Sequence, residues 1–153
     1  MRLWRISDHA SLSGDGGLFA SARWHSRGKR IVYLADHPAS ALLEVIVHLE
    51  VKAENLPDGF QLLKIDVPDD LAVDQPDRRE LPADWRERVS LTQKIGDVWL
   101  NEGLTSVLRV PSAILPETNN YLLNPGHAHA SRIVIVSALR AAFDPRLMAF
   151  VKG

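Results

Sequence analysis

Apolar positions along the chain fall into short blocks with two different periods. Leu3 to Ile6 is a brief apolar stretch that predicts a strand, and the Ser-, Asp- and Gly-rich run from Ser7 to Gly17 predicts a loop. Arg30 to Ala35 (RIVYLA) is β-branched and aromatic between polar flanks, which predicts a second strand. Pro38 then stands at a first helical position, where its missing N–H costs nothing. Ala39 to Leu49 follows as a helix, apolar nearly all round and therefore expected to be buried on most faces. Gln61 to Val67 alternates like a half-buried strand. Val67 to Glu87 is polar and Pro-containing and reads as a loop or insertion, with a helical segment starting at Asp84 near Trp85. Ser90 to Asn101 predicts a helix with Leu91, Ile95, Val98 and Trp99 on one stripe and Gly103 just past its end. Ser106–Val110, Asn120–Asn124, Arg132–Val136 and a short Ala142–Asp144 complete the expected strands.

Strands and a few helices mix here without regular βαβ alternation. That predicts an α+β fold with a compact mixed sheet, not a doubly wound one. No GxGxxG or Walker A pattern stands in the right context. A chain of 153 residues is the length of one ordinary domain, and residues 1–153 are read as a single domain.

Composition narrows the classes. The formal net charge of −1 gives no global basic field, so direct nucleic-acid binding is not expected. The chain has no cysteine, which removes disulfides and thiolate metal sites and fits a reducing cytoplasm. No signal-peptide pattern and no apolar run long enough to span a bilayer is present, so no membrane role is expected.

Against this background the stretch SARWHSRGKRIVYLADHPASALLEVIVHLE, Ser21 to Glu50, stands out. Glu44 is a lone carboxylate in an apolar helix, and burying it unpaired costs several kcal/mol. Either Glu44 sits on an exposed stripe or pairs with His48 or a loop arginine, or it faces a cleft and acts on a substrate. The spacing puts Glu44 and His48 on one helical face, but Glu-x-x-x-His is not the zinc-protease pattern. The cations Arg23, Arg27, Lys29 and Arg30 are either a solvated loop or an anion site, since guanidinium groups bind phosphate in bidentate fashion. Tyr33 on its strand and Ser112 after Pro111 are read first as a packing residue and a turn residue. His127 and His129 lack partners at ligand spacing and read as surface residues; no metal site is expected.

Taken together, RIS near the N-terminus, ASARWHSRGKRIVYLADHPASALLEVIVHL, TQKIGDVWL, SVLRVPSAILPETNNYLLNP and FDPRL, in this order, resemble the RES-domain family. The resemblance covers nearly the whole chain. Its members are toxins of bacterial toxin–antitoxin pairs with a fold resembling ADP-ribosyltransferases and diphtheria-type toxins. The resemblance implies cleavage of the nicotinamide–ribose bond of NAD+ by hydrolysis or phosphorolysis, or ADP-ribosylation of a protein, in the cytoplasm. NAD+ is then a substrate and no cofactor is implied. It also implies a cognate Xre-like helix-turn-helix antitoxin in a hetero-oligomer with the toxin. A non-catalytic module that binds NAD+ or a partner is the non-enzymatic alternative. Matched motif by motif, Glu44 falls on the family's catalytic Glu, beside Tyr33 and Ser112. Arg23, Arg5 and Asn120 fall on substrate-binding positions. In that reading Glu44 stabilises the cationic ribose, Arg23 and Arg5 hold the pyrophosphate, Tyr33 stacks on nicotinamide, and Ser112 bonds ribose or the nicotinamide amide. Ala22 and His25 stand where the family often has Gly and Asn, and the His is expected to weaken a turn contact.

Overall fold

The computed structural model describes residues 1–48 and 58–152. Among the described residues, seven strands form one sheet in the order β4-β5-β6-β2-β1-β3-β7. Chain order gives β1 (Arg2–Ser7), α1 (Gly16–Phe19), β2 (Val32–Ala35), α2 (Pro38–His48), β3 (Phe60–Asp66), β4 (Val73–Asp74), α3 (Val89–Glu102), β5 (Val107–Pro111), β6 (Asn119–Leu123), β7 (Val134–Ala141) and α4 (Pro145–Lys152). Neighbouring strands run antiparallel except β4 against β5, which are parallel. This is the expected α+β class with a mixed sheet.

Alternation along the strands splits the apolar residues between the two faces. Leu3, Val32, Leu34, Leu63, Ile65, Val107 and Leu123 build one core. Leu108, Val110 and Leu122 face the other way, onto Trp24, Trp85 and Trp99. The β1–β3 ladder runs over every residue from Arg2 to Ser7, whereas β1 and β2 meet at one rung, Trp4↔Ala35. The two strands part beyond it. The Tyr33 carbonyl, left without a ladder partner from β1, accepts instead from the Arg5 guanidinium at 3.3 Å. A cleft opens at this split.

Several sequence expectations are corrected. The helix after Pro38 forms as expected, but of α2 only Ala41 is buried. It packs on β1 and β2, so one side meets the sheet while Val47 on the other remains 50% exposed. Leu49, the last residue of the expected helix, lies outside the described residues. No helix forms at Asp84: Trp85, Glu87 and Arg88 donate to carbonyls three residues back, giving consecutive turns after Pro82. The backbone of Arg88, at φ −99 and ψ 67, then separates those turns from α3. Of the expected stripe on α3 only Trp99 is buried; it shares the buried face with Thr92 and Gly96, while Leu91 and Ile95 are half-buried and Val98 is exposed. Thr92 and Gly96 are small because the backbone of the Arg23–Trp24 loop packs against them, whereas Trp99 packs into the second core. Gly103 ends α3 in the left-handed conformation at φ 60, as its position predicts. Ala130–Arg132 is a 3-10 turn, so the expected strand begins late, at Val134, and runs on to Ala141. Ala142–Asp144 is not a strand; the Asp144 carboxylate accepts from Arg146 N–H at 2.8 Å and Pro145 opens α4.

Candidate active-site cleft

The cleft has a volume of about 540 Å³, and its walls include Arg5, Arg23, Tyr33, Glu44, His48 and Asn120. Five of the six residues singled out from the sequence therefore line one cavity. The sixth, Ser112, lies directly behind it, buried and bonded to Glu44.

Glu44 projects from α2 into the cleft with its side chain 25% exposed. Its Oε1 accepts from Asn120 Nδ2 at 2.6 Å and from the Ser112 hydroxyl at 3.3 Å. Oε2 lies 3.5 Å from His48 Nε2, whose ring is 73% exposed. One carboxylate oxygen is thus fixed to the sheet, and the other is turned toward solvent and His48. Of the two readings of Glu44, the cleft-facing one describes its position, although the His48 pairing is also present.

Ser112 is placed differently from its expected role. Its Oγ accepts from the N–H groups of Ile114 and Leu115 at 3.1 and 3.2 Å. A hydroxyl has one proton, and here that proton goes to Glu44. The sequence motif located the residue, and the turn after β5 decides what it does: it orients the carboxylate.

Tyr33 is similarly committed. His25 is buried, with Nε2 2.9 Å from the Ala20 carbonyl and Nδ1 2.8 Å from Tyr33 Oη. A carbonyl only accepts, so Nε2 carries the proton and, in the neutral ring, Nδ1 accepts from the tyrosine. Tyr33 Oη in turn accepts from Trp24 N–H at 3.2 Å. The phenol is used up by the protein and offers the cleft its ring alone. Burial, foremost, pushes the Tyr33 pKa well above the ordinary phenol value. His25 does not weaken the turn as expected; it ties Ala20 to Tyr33 across it.

Of the cation cluster, one member reaches the cleft. Arg30 pairs with Asp15 and Lys29 donates to Asn101, while Arg23 lines the cavity, donates to the Arg86 carbonyl at 2.8 Å and lies over the Trp85 ring. The loop that carries it is held down by α3. Thr92 Oγ1 donates to the Arg23 carbonyl at 2.6 Å, Gln93 Nε2 to the Ala22 carbonyl at 2.9 Å, and Asp97 accepts from Ser26 N–H and Oγ. From the sequence, these α3 residues entered only within the TQKIGDVWL motif and His25 only as a departure in the turn, with no place at the site assigned to either. The Thr-Gln…Gly-Asp spacing on one helix gives no sign of the loop it holds.

Arg5 is desolvated, which lowers its pKa. Its Nε and the Oδ1 of Asn120 are buried with no protein partner. Native interiors rarely leave such atoms unpaired. Arg5 and Asn120 both line the cavity, although these two atoms are themselves closed to solvent. No group of His, Asp and Glu suited to hold a metal ion occurs among the described residues. His127 and His129 pack edge to face, and the His127 ring accepts from His129 N–H.

The comparisons with known proteins agree with one another. Toxin Res of Pseudomonas putida is 46% identical over 130 residues, covering 85% of this chain and 88% of that protein. The Prs ADP-ribosylating toxin of a Sphingobium species is 35% identical over 157 residues, covering 95% of each. In the crystal structure of the M. tuberculosis MbcT–MbcA toxin–antitoxin complex, one chain superposes with a TM-score of 0.70 at 18% identity, over 99% of this chain and 88% of that one. At that identity the likeness speaks for the fold. The RES domain model matches residues 2–144, so the protein belongs to the RES-domain family.

Proposed function

We propose that this protein is the toxin of a toxin–antitoxin pair and breaks the nicotinamide–ribose bond of NAD+. The observation that carries the reading is the held carboxylate: Glu44, with one oxygen fixed by Asn120 and Ser112, faces a cavity that also presents Arg5, Arg23 and the Tyr33 ring. As the C1′–N bond breaks, its electron pair leaves with nicotinamide and the ribose becomes an oxocarbenium-like cation. A fixed carboxylate stabilises that charge, as in glycosidases. Nicotinamide departs from a cationic state as a neutral molecule, so no general acid is required. Arg23 and Arg5 suit the pyrophosphate. The acceptor then forms its bond to C1′: water does so with loss of a proton to solvent, phosphate through an anionic oxygen.

Incubating the protein with NAD+, with and without phosphate, and resolving the products tests this. Free nicotinamide with ADP-ribose or its 1-phosphate is expected, and Glu44→Gln is expected to cut kcat by about 100-fold or more. Intact NAD+ would overturn the proposal, and calorimetry showing tight NAD+ binding without turnover would favour a binding module.

A second reading has a specific observation behind it, the 35% identical relative named as an ADP-ribosylating toxin. With NAD+ labelled in the adenylate portion, label on a cellular protein favours transfer, and label in free ADP-ribose favours breakdown. The expected partner is an antitoxin. The apolar rim of the cleft at Val47, half-exposed on α2, is a fitting contact for it. Growth arrest on expression alone, relieved by Glu44→Gln, is the corresponding cellular outcome.

A further inference from the structure

We infer that His48 is the base of the hydrolytic step: its ring takes a proton from the water that attacks the ribose, a water held between His48 Nε2 and Glu44 Oε2. The inference rests on the proposed NAD+ chemistry and goes beyond it by assigning the residue that serves the acceptor.

His48 lies one turn after Glu44 on α2, so the two side chains share a helical face, and both line the cleft. The carboxylate cannot turn freely, because Oε1 accepts from Asn120 and from Ser112. Oε2 is thereby set 3.5 Å from His48 Nε2. That separation is long for a direct hydrogen bond, but a water about 2.8 Å from each atom closes a triangle over it. Such a water donates one proton to each and keeps its lone pairs for C1′. With the neutral ring protonated at Nδ1, Nε2 is the acceptor. Glu44 faces the ribose cation, and imidazole is in general a stronger base than a carboxylate. In the step itself a water lone pair forms the bond to C1′, an O–H bond breaks, and its proton goes to Nε2. The imidazolium stands beside the Glu44 carboxylate, which stabilises it. The ring is 73% exposed, so it returns that proton to solvent and is ready for the next turnover. Phosphate attacks through an anionic oxygen, and nicotinamide, in the reverse reaction, through its ring nitrogen. Neither loses a proton in the attack, so neither calls on His48.

The test follows His48→Ala and His48→Gln in a phosphate-free mixture of NAD+ and radiolabelled nicotinamide. ADP-ribose formed and label entering NAD+ are measured in the same sample. ADP-ribose formation is expected to fall at least about 10-fold in both variants, and the ratio of exchange to hydrolysis to rise by a similar factor. Glutamine keeps a polar group beside Glu44 but has no basic nitrogen, so wild-type hydrolysis in His48→Gln overturns the inference. So does exchange that falls in step with hydrolysis or is absent from the variants, which makes His48 a support for Glu44 alone. If the wild-type protein releases nicotinamide only when phosphate or a protein acceptor is supplied, there is no hydrolytic step and this inference alone is lost. If it releases none under any of these conditions, the parent proposal is lost with it.

Discussion

Gly96→Ala should impair the cleft from behind, because Gly96 does not line it but packs on the loop that does. A Cβ at Gly96 would lie 1.7 Å from the Trp24 carbonyl oxygen and 2.8 Å from its carbon, both backbone atoms. Ordinary contact begins at 3.4 Å, so α3 and the Trp24 loop must separate by about 1.7 Å. At that spacing the bonds from Thr92 to the Arg23 carbonyl and from Gln93 to the Ala22 carbonyl, now 2.6 and 2.9 Å, fall outside hydrogen-bonding range. Losing two or three such bonds costs about 1 kcal/mol each, and the overpacking itself about 1–3 kcal/mol. Alanine recovers about 1 kcal/mol as the better helix former. The net expectation is about 2–5 kcal/mol of destabilisation, read as a shift in the midpoint of urea unfolding at unchanged m-value. Because Arg23 rides on the displaced loop, KM for NAD+ should also rise, by roughly 10-fold if one charge-assisted bond of about 1.4 kcal/mol is lost. Lys94→Ala, exposed on the same helix, is the control and should stay within about 0.5 kcal/mol. A Gly96→Ala protein as stable as wild type, with unchanged KM, would refute the idea that close backbone approach of α3 sets the Arg23 loop.

Three further outcomes follow from the same geometry. Ser112→Ala should slow turnover without abolishing it, because Ser112 orients Glu44; it should also destabilise by about 1–3 kcal/mol, since Ile114 and Leu115 N–H lose their acceptor. Complete loss of turnover in a folded Ser112→Ala protein would instead make its hydroxyl a participant in the chemistry. His25→Asn should hold NAD+ more nearly as wild type does than His25→Ala, since the amide oxygen stands where Nδ1 does and can accept from Tyr33 Oη; equal KM values for the two variants would count against the His25–Tyr33 contact. Tyr33 has a raised pKa in the folded protein, so its contribution to stability is complete below the ordinary tyrosine value of about 10 and is lost as pH rises toward the folded value. Alkaline unfolding followed at 295 nm should therefore shift to higher pH in Tyr33→Phe, and an unchanged alkaline midpoint would contradict that linkage.

What the sequence determined by itself was local. Pro38 opening α2, Gly103 closing α3 and the alternation of β3 depend on near neighbours, and the structure follows them. The site positions were legible because ordered motifs match a family, not because spacing brings Glu44 of α2 together with Ser112 and Asn120, which lie 68 and 76 residues away. The expectations that failed depended on distant surfaces. The burial of α2 was overestimated because an apolar helix does not reveal how much sheet it will cover. The buried stripe of α3 was placed correctly only at Trp99, because Thr92 and Gly96 are selected by a backbone loop some 70 residues earlier. Tertiary structure also decided the roles within the site. Hydrogen-bond valence, counted on actual partners, turns Ser112 from a substrate contact into a clamp on Glu44 and gives the Tyr33 hydroxyl to His25 and Trp24. The same count leaves Glu44 Oε2 facing the exposed His48 ring instead of the sheet. The chain pattern names the polar atoms, but only the folded neighbours decide which of them remain for a ligand.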